Sequence, residues 1–330
     1  MPAKNNILAY AAVVVSCVAW GFSFLFTKHA LGHLAEFQLL GYRFLVAALL
    51  LSVLAAFGVI KIRLTPEKMK GMLLVALLQP VLYFTGETFG VKLTSATESG
   101  ILIALVPIAV TVFSGIILKE RMAGANWAAI AVCVAGVVVI VLAKGLDMGG
   151  GQLTGVFSLL GAIVAAGIYS PLSRKVSEQS TPVEITFVMM LVGAIVFNIA
   201  GISTEAAAAA GEGRRFAYFD QFANVTVLGE IAYLGILSSV VAYFCLNYAL
   251  SKLKSTVVGT LTNLVPVITV FAGVTFGREI LLPLQCAGAA MILAGIWWLA
   301  HNNRTKSAAH LPVQPDSSII STTNSWRDSL

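Results

Sequence analysis

Thr97–Glu120 reads TESGILIALVPIAVTVFSGIILKE, and Thr256–Glu279, 159 residues further on, reads TVVGTLTNLVPVITVFAGVTFGRE. Each holds an apolar run close to the roughly 20 residues that a helix needs to cross about 30 Å of hydrocarbon. In one register the two share Thr97/Thr256, Gly100/Gly259, Leu105/Leu264, Val106/Val265, Pro107/Pro266 and Glu120/Glu279. The match continues without a gap to Gly136/Gly295. Apolar composition alone produces Leu and Ala coincidences, but it does not readily align a proline and a glutamate together. The stretch therefore reads as a membrane-spanning unit present twice.

The repeat extends outward from there. At a shift of 160, Gln79, Tyr83 and Glu87 fall on Ser239, Tyr243 and Asn247. At a shift of 146, Gly21 falls on Gly167 and Lys28 on Arg174. Ten apolar stretches cover roughly 7–27, 36–57, 69–90, 97–118, 125–144, 152–171, 183–202, 225–246, 255–276 and 282–300. They are too long and too uniformly apolar for barrel strands, which alternate over about ten residues. Helices satisfy their own backbone in lipid. The fold expected is an all-α membrane protein of ten transmembrane helices, built as two five-helix repeats at 1–145 and 146–301. An odd number of spans per repeat turns the second half upside down relative to the first, as in many secondary transporters. Residues 302–330, polar and carrying Pro312 and Pro315, read as a disordered cytosolic tail.

Composition agrees. The 330 residues are 58% hydrophobic and 11% charged, with a mean hydropathy of +0.90. Ordinary soluble domains are about a quarter charged. With the N-terminus inside, fourteen of the 21 Lys and Arg residues fall in inner segments and six in outer ones, while Arg43 lies within a span. The excess places both termini in the cytoplasm of a multi-pass inner or plasma membrane protein. The net charge of +6 is scattered over loops, which argues against a nucleic-acid face. Lys4 with its apolar run reads as the first span rather than a cleaved leader. The longest outer connection is 203–224, where the Ala206–Ala210 run suits a short surface helix.

The Pro-bearing segments Leu105-Val106-Pro107-Ile108 and Leu264-Val265-Pro266-Val267, each followed by Glu120 or Glu279 beside basic residues, resemble the drug/metabolite transporter superfamily, and its ten-helix EamA type most closely. Ala19-Trp20-Gly21 in the first helix fits too. The resemblance covers about residues 7–300. It implies a central cavity lined by helices 1–4 and 6–9, with helices 5 and 10 peripheral. It implies no ATPase, and the chain has no Walker-type glycine-rich lysine loop.

Polar residues at spacings of three or four share a helix face. Gln79, Tyr83 and Glu87 form one stripe, and Ser239, Tyr243 and Asn247 a second. Ser16, Trp20, Ser23 and Thr27 form a third; Thr256, Thr260 and Asn263 form a fourth. In a membrane such stripes face a cavity or glue helices together. The substrate-binding candidates are Trp20, Ser23, Arg43, Gln79, Tyr83, Glu87, Tyr243, Asn247 and Asn263. Arg43 and Glu87 are the sharpest, because intramembrane charge costs about 2.5–3.5 kcal/mol on insertion scales. They read either as a structural ion pair, or as a carboxylate ligand beside a group sensing protons or a cationic nitrogen. Pro107 and Pro266 are hinge candidates, since each removes a helical N–H. Glu98 and Glu230 read as solvated near the outer interface.

Cys17, Cys133, Cys245 and Cys286 lie in spans without metal-ligand spacing, and no His pair has zinc spacing. No cofactor, metal or catalytic residue is assigned. The function expected is a secondary transporter exporting amino acids or related small metabolites by alternating access. An uptake permease or a drug exporter of the same fold are the alternatives. A polytopic enzyme is remote, because Asp147, Asp220, Asp316 and Asp328 stand apart. A channel is not favoured by an internal repeat. The partners expected are the lipid bilayer, a small-molecule substrate of amino-acid or metabolite type, and protons. The small residues of helices 5 and 10 suit internal packing, giving a monomer, or else a weak homodimer.

Overall fold

The computed structural model describes residues 3–118, 125–143 and 151–309, and every regular element among them is helical. The helices are α1 (Ala3–Ala30), α2 (Glu36–Ala56), α3 (Pro66–Ala76), α4 (Tyr83–Leu93), α5 (Ala96–Ile103), α6 (Val106–Ile117) and α7 (Ala125–Ala143) in the first part of the chain. They continue with α8 (Gly151–Val176), α9 (Pro182–Glu212), α10 (Val225–Ala232), α11 (Ala242–Lys252), α12 (Ser255–Leu261), α13 (Leu264–Thr275) and α14 (Pro283–Ala309). Two π-helical segments, Leu77–Leu82 and Tyr233–Val241, join α3 to α4 and α10 to α11. Eight helical stretches, counted across the π-helical segments and short turns within them, are long and apolar enough to span a membrane. Shorter apolar stretches, Ile130–Ile140 and Pro283–Gly295, lie in α7 and α14. This is an all-helical membrane protein, consistent with ten spans.

Local chemistry sets the ends. Ser95 accepts the Glu98 amide at 3.0 Å to start α5. Thr181 and Glu184 exchange bonds at 3.3 and 2.9 Å to start α9. Gly213, at φ +64°, ends it. Within its 31 residues α9 absorbs the Ala206–Ala210 run, so no separate surface helix forms there. At about 46 Å it outruns the hydrocarbon thickness. Beyond its end, the carboxylates of Glu205 and Glu212 hold the Arg214 guanidinium above its ordinary range. The tail expectation meets α14, which stays helical to Ala309; residues 310–330 lie outside the described residues. Lys119, Glu120 and Arg121 lie outside them as well.

Pro107 and Pro266 do not kink continuous helices. Each sits in the first turn of a new helix, α6 or α13, after a break at Ala104–Leu105 or Thr262–Asn263. There a missing N–H is harmless. Pro80 lies inside a π-helical segment where Gln79 leaves helical angles (φ −147°, ψ 109°).

Paired positions make reciprocal contacts. A Cβ on Gly21 would stand 2.5 Å from Ile268 Cβ, and one on Gly167 2.5 Å from Ala109 Cβ; 109 and 268 are 159 apart. Likewise Gly100 lies against Thr269, and Gly259 against Val110. The Lys28 ammonium donates to the carbonyls of Val91, Lys92 and Thr94 at the end of α4, at 2.8, 3.1 and 2.6 Å. Its counterpart Arg174 donates to the Leu253 carbonyl at the end of α11. Cations belong at such carbonyl ends. Gly21→Val is expected to lower stability by about 1–3 kcal/mol through overpacking. Adding Ile268→Ala should recover most of the loss, read as the melting temperature in detergent.

Helices α7 and α14 run antiparallel and pack mainly on each other. Gly136 and Gly288 bring their backbones together, and the Cys133 thiol donates to the Ile292 carbonyl at 3.3 Å. Small residues here serve contact within one chain.

Candidate functional site

Where α1, the α4 and α11 segments, α8 and the broken helices meet, the protein holds a cavity of about 60 Å³, measured as space for the centres of water molecules. That is room for several waters. Trp20, Gln79, Tyr83, Glu87 and Tyr243, five of the residues singled out from the sequence, line it. Phe24, Phe84, Tyr169 and Ser170 complete the aromatic and polar wall, and Ala166, Val106, Gly259 and Thr262 form small or apolar parts.

The aromatic groups hold one another in place. Trp20 meets Tyr243 edge-on with centroids 5.1 Å apart, and Tyr83 meets Phe84 at 5.0 Å. The Trp20 indole N–H donates to the Ser238 carbonyl at 3.0 Å, tying α1 to the second π-helical segment. Gln79 Nε2 donates to the Tyr243 hydroxyl, joining the first such segment to α11. Buried Tyr and Trp are thus supplied with partners. π-Helical turns often occur at functional sites.

Glu87 is the acidic side chain that lines the cavity. It is 4% exposed. Its Oε1 takes a long bond from the Tyr83 hydroxyl at 3.4 Å, and its Oε2 has no partner. An unpaired buried polar atom calls for an explanation.

Arg43 stands elsewhere. It is 2% exposed and does not line the cavity. Its Nε donates to Ser239 Oγ and its Nη2 to Ser238 Oγ, both at 2.8 Å. The guanidinium carbon lies 4.2 Å from the centroid of the Phe84 ring. No ion pair within 4.0 Å joins Arg43 to Glu87.

Three further candidates also lie off the cavity lining. The Ser23 hydroxyl donates to the Trp20 carbonyl at 2.8 Å. Asn247 is fully buried in its own network: it accepts from Tyr169 and Ser173 at 2.7 and 2.8 Å and donates to Thr186 at 3.0 Å. Asn263 precedes α13 at the helix break without a side-chain bond to it, and its buried Oδ1 finds no partner. Asn247→Leu is expected to cost about 1–3 kcal/mol, because it strands the Tyr169 and Ser173 hydroxyls. A melting curve in detergent reads this directly.

Glu98 and Glu230, expected to be solvated, are buried at 1% and 5% exposure. Glu98 lies in the first turn of α5, where negative charge is favoured, and accepts from Gln152 Nε2 at 3.2 Å. Glu230 bonds to His29 Nδ1. Tyr169 and Ser170 escaped the sequence reading, although Tyr169 and Ser173 are four apart on one face. Thr262 replaces the Thr256–Thr260–Asn263 stripe because α12 stops at Leu261, and a 3.6-residue period cannot be carried through a break.

Comparison with known proteins adds the following. The sequence profile of the EamA-like transporter family matches residues 7–142 and 153–300. The chain is 32% identical over 288 residues to the uncharacterized transporter YcxC of Bacillus subtilis, spanning 87% of this chain and 91% of that one. It is 24% identical over 216 residues to a probable terminal-alkyne amino-acid exporter of Streptantibioticus cattleyicolor, spanning 64% of this chain and 65% of that one. A solved structure, 17% identical, shares the fold with a TM-score of 0.62 over 91% of this chain and 99% of its own.

Proposed function

The chain belongs to the EamA-like transporter family, and from that premise we propose that it exports amino acids or related small metabolites across the inner or plasma membrane by alternating access. One observation carries the reading: Glu87, a buried acid with one oxygen unpaired, lines an aromatic-walled cavity where both parts of the chain meet. Such a group is costly in a membrane and is a site for cargo or coupling ions by default. The exporter of Streptantibioticus cattleyicolor supports the amino-acid end of this range.

In this reading residues 1–145 and 146–301 are inverted halves that rock about the cavity, with both termini in the cytoplasm. The reciprocal glycine contacts and the matched helix breaks before Pro107 and Pro266 support it. The breaks act as hinges, and Glu87 exchanges a proton or a cationic nitrogen with the cavity. The α7–α14 pairing within one chain supports a monomer. Saturable counterflow of a labelled amino-acid panel in proteoliposomes tests the proposal. Ala166→Phe, which fills the cavity wall, should abolish counterflow while the protein still elutes as a folded species. Undiminished transport by that variant would refute the cavity as the route.

A further inference from the structure

The cavity lining holds an acidic side chain, Glu87, and no Lys or Arg among the described residues. The Arg43 guanidinium is taken up by Ser238, Ser239 and the Phe84 ring. It connects α2 to the π-helical segment whose Ser238 carbonyl receives Trp20. That is a positioning role.

The twin of Glu87 shows what is missing around it. Asn247, 160 residues on, has its Oδ1 filled by the hydroxyls of Tyr169 and Ser173. At the shift of 146, Ser23 and Thr27 take the places of Tyr169 and Ser173. Ser23 turns its hydroxyl to the Trp20 carbonyl instead. The first part of the chain thus leaves one Glu87 oxygen, Oε2, without a donor. A ligand carboxylate, which only accepts, cannot fill that deficit; an ammonium, with three donors, can. Trp20, Tyr83, Phe84 and Tyr243 line the same cavity, and an aromatic ring attracts a cation that lies over its face.

Resting on the cavity reading above, we infer that cargo is selected by a positively charged nitrogen: a small primary amine with an apolar or aromatic body, its ammonium on Glu87, with Arg43 outside the contact set. Three probes of one shape test this, namely 2-phenylethylamine, phenylalanine and 3-phenylpropionate, titrated against the full chain in lipid nanodiscs. The amine is expected to bind at least about tenfold tighter than the carboxylate, in line with a charge-assisted bond. Glu87→Gln should remove that preference. Arg43→Gln should leave the ratio of amine to carboxylate affinity unmoved even where it lowers stability. Equal or tighter binding of 3-phenylpropionate, no amine binding to the unaltered chain, or a ratio that follows Arg43 would overturn the inference. Ala166→Phe separates the two levels. If it blocks a carboxylate-preferring site, the amine inference falls and the cavity stands; if it blocks nothing, the cavity reading itself falls.

Discussion

Glu87→Gln is expected to reduce transport by between about 10- and 100-fold while the protein inserts, folds and keeps or raises its melting temperature. The magnitude follows from losing a hydrogen bond to a charged group, about 1.5–3 kcal/mol. The stability half of the expectation comes from the geometry. Oε2 has no partner to lose, and the Tyr83 hydroxyl at 3.4 Å can still donate to the amide oxygen. Removing a buried charge of that kind relieves desolvation. A purely structural acid would give the reverse pattern, with lower stability and transport reduced only as the amount of folded protein falls. Initial rates in proteoliposomes, normalised to folded protein, distinguish the two, and wild-type rates would refute a role in the site.

Glu279→Ala is expected to open the cavity toward the end of the molecule where α5 begins. Glu279 accepts the Ala96 amide at 3.0 Å and the Thr97 amide at 2.8 Å, fastening the turn after α13 onto the start of α5. In the proposed topology this fastening lies on the outer side of the membrane. Each bond to a carboxylate is worth about 1.5–3 kcal/mol, so losing the pair shifts a two-state equilibrium by at least about tenfold. A single cysteine at Val106, a cavity position, reports the change in a background lacking the four native cysteines. Its alkylation by a membrane-impermeant maleimide added outside should accelerate by that factor. An unchanged rate would mean that Glu279 only anchors a helix end.

The spans and the matched prolines were legible in the sequence because lipid imposes length and apolarity on each helix, and because proline has few tolerable places. Trp20, Tyr83 and Glu87 followed from polar spacing along helix runs that the structure keeps intact. Spacing failed at two places near departures from the α-helix, although Gln79, itself at such a departure, does line the cavity. Thr262 lies past the end of α12, and Arg43 is turned toward Ser238 and Ser239 on a π-helical segment. Hydropathy patterns do not show π-helical turns. Asn247 and Glu87 occupy matching places in the alignment, yet one is saturated and the other is not. That difference depends on Tyr169 and Ser173, which lie on another helix.

The glycine seam has one more implication, for dividing the protein. Gly21 receives isoleucine, while Gly167 receives alanine with the Phe113 ring beside it. A fragment of residues 1–145 pairing with its own copy would set Ala109 against Gly21 and leave a hole. Two copies of 146–301 would press Ile268 into the groove that fits alanine. Under the proposed two-half organisation, fragments split between α7 and α8 and expressed separately are expected to choose each other over themselves.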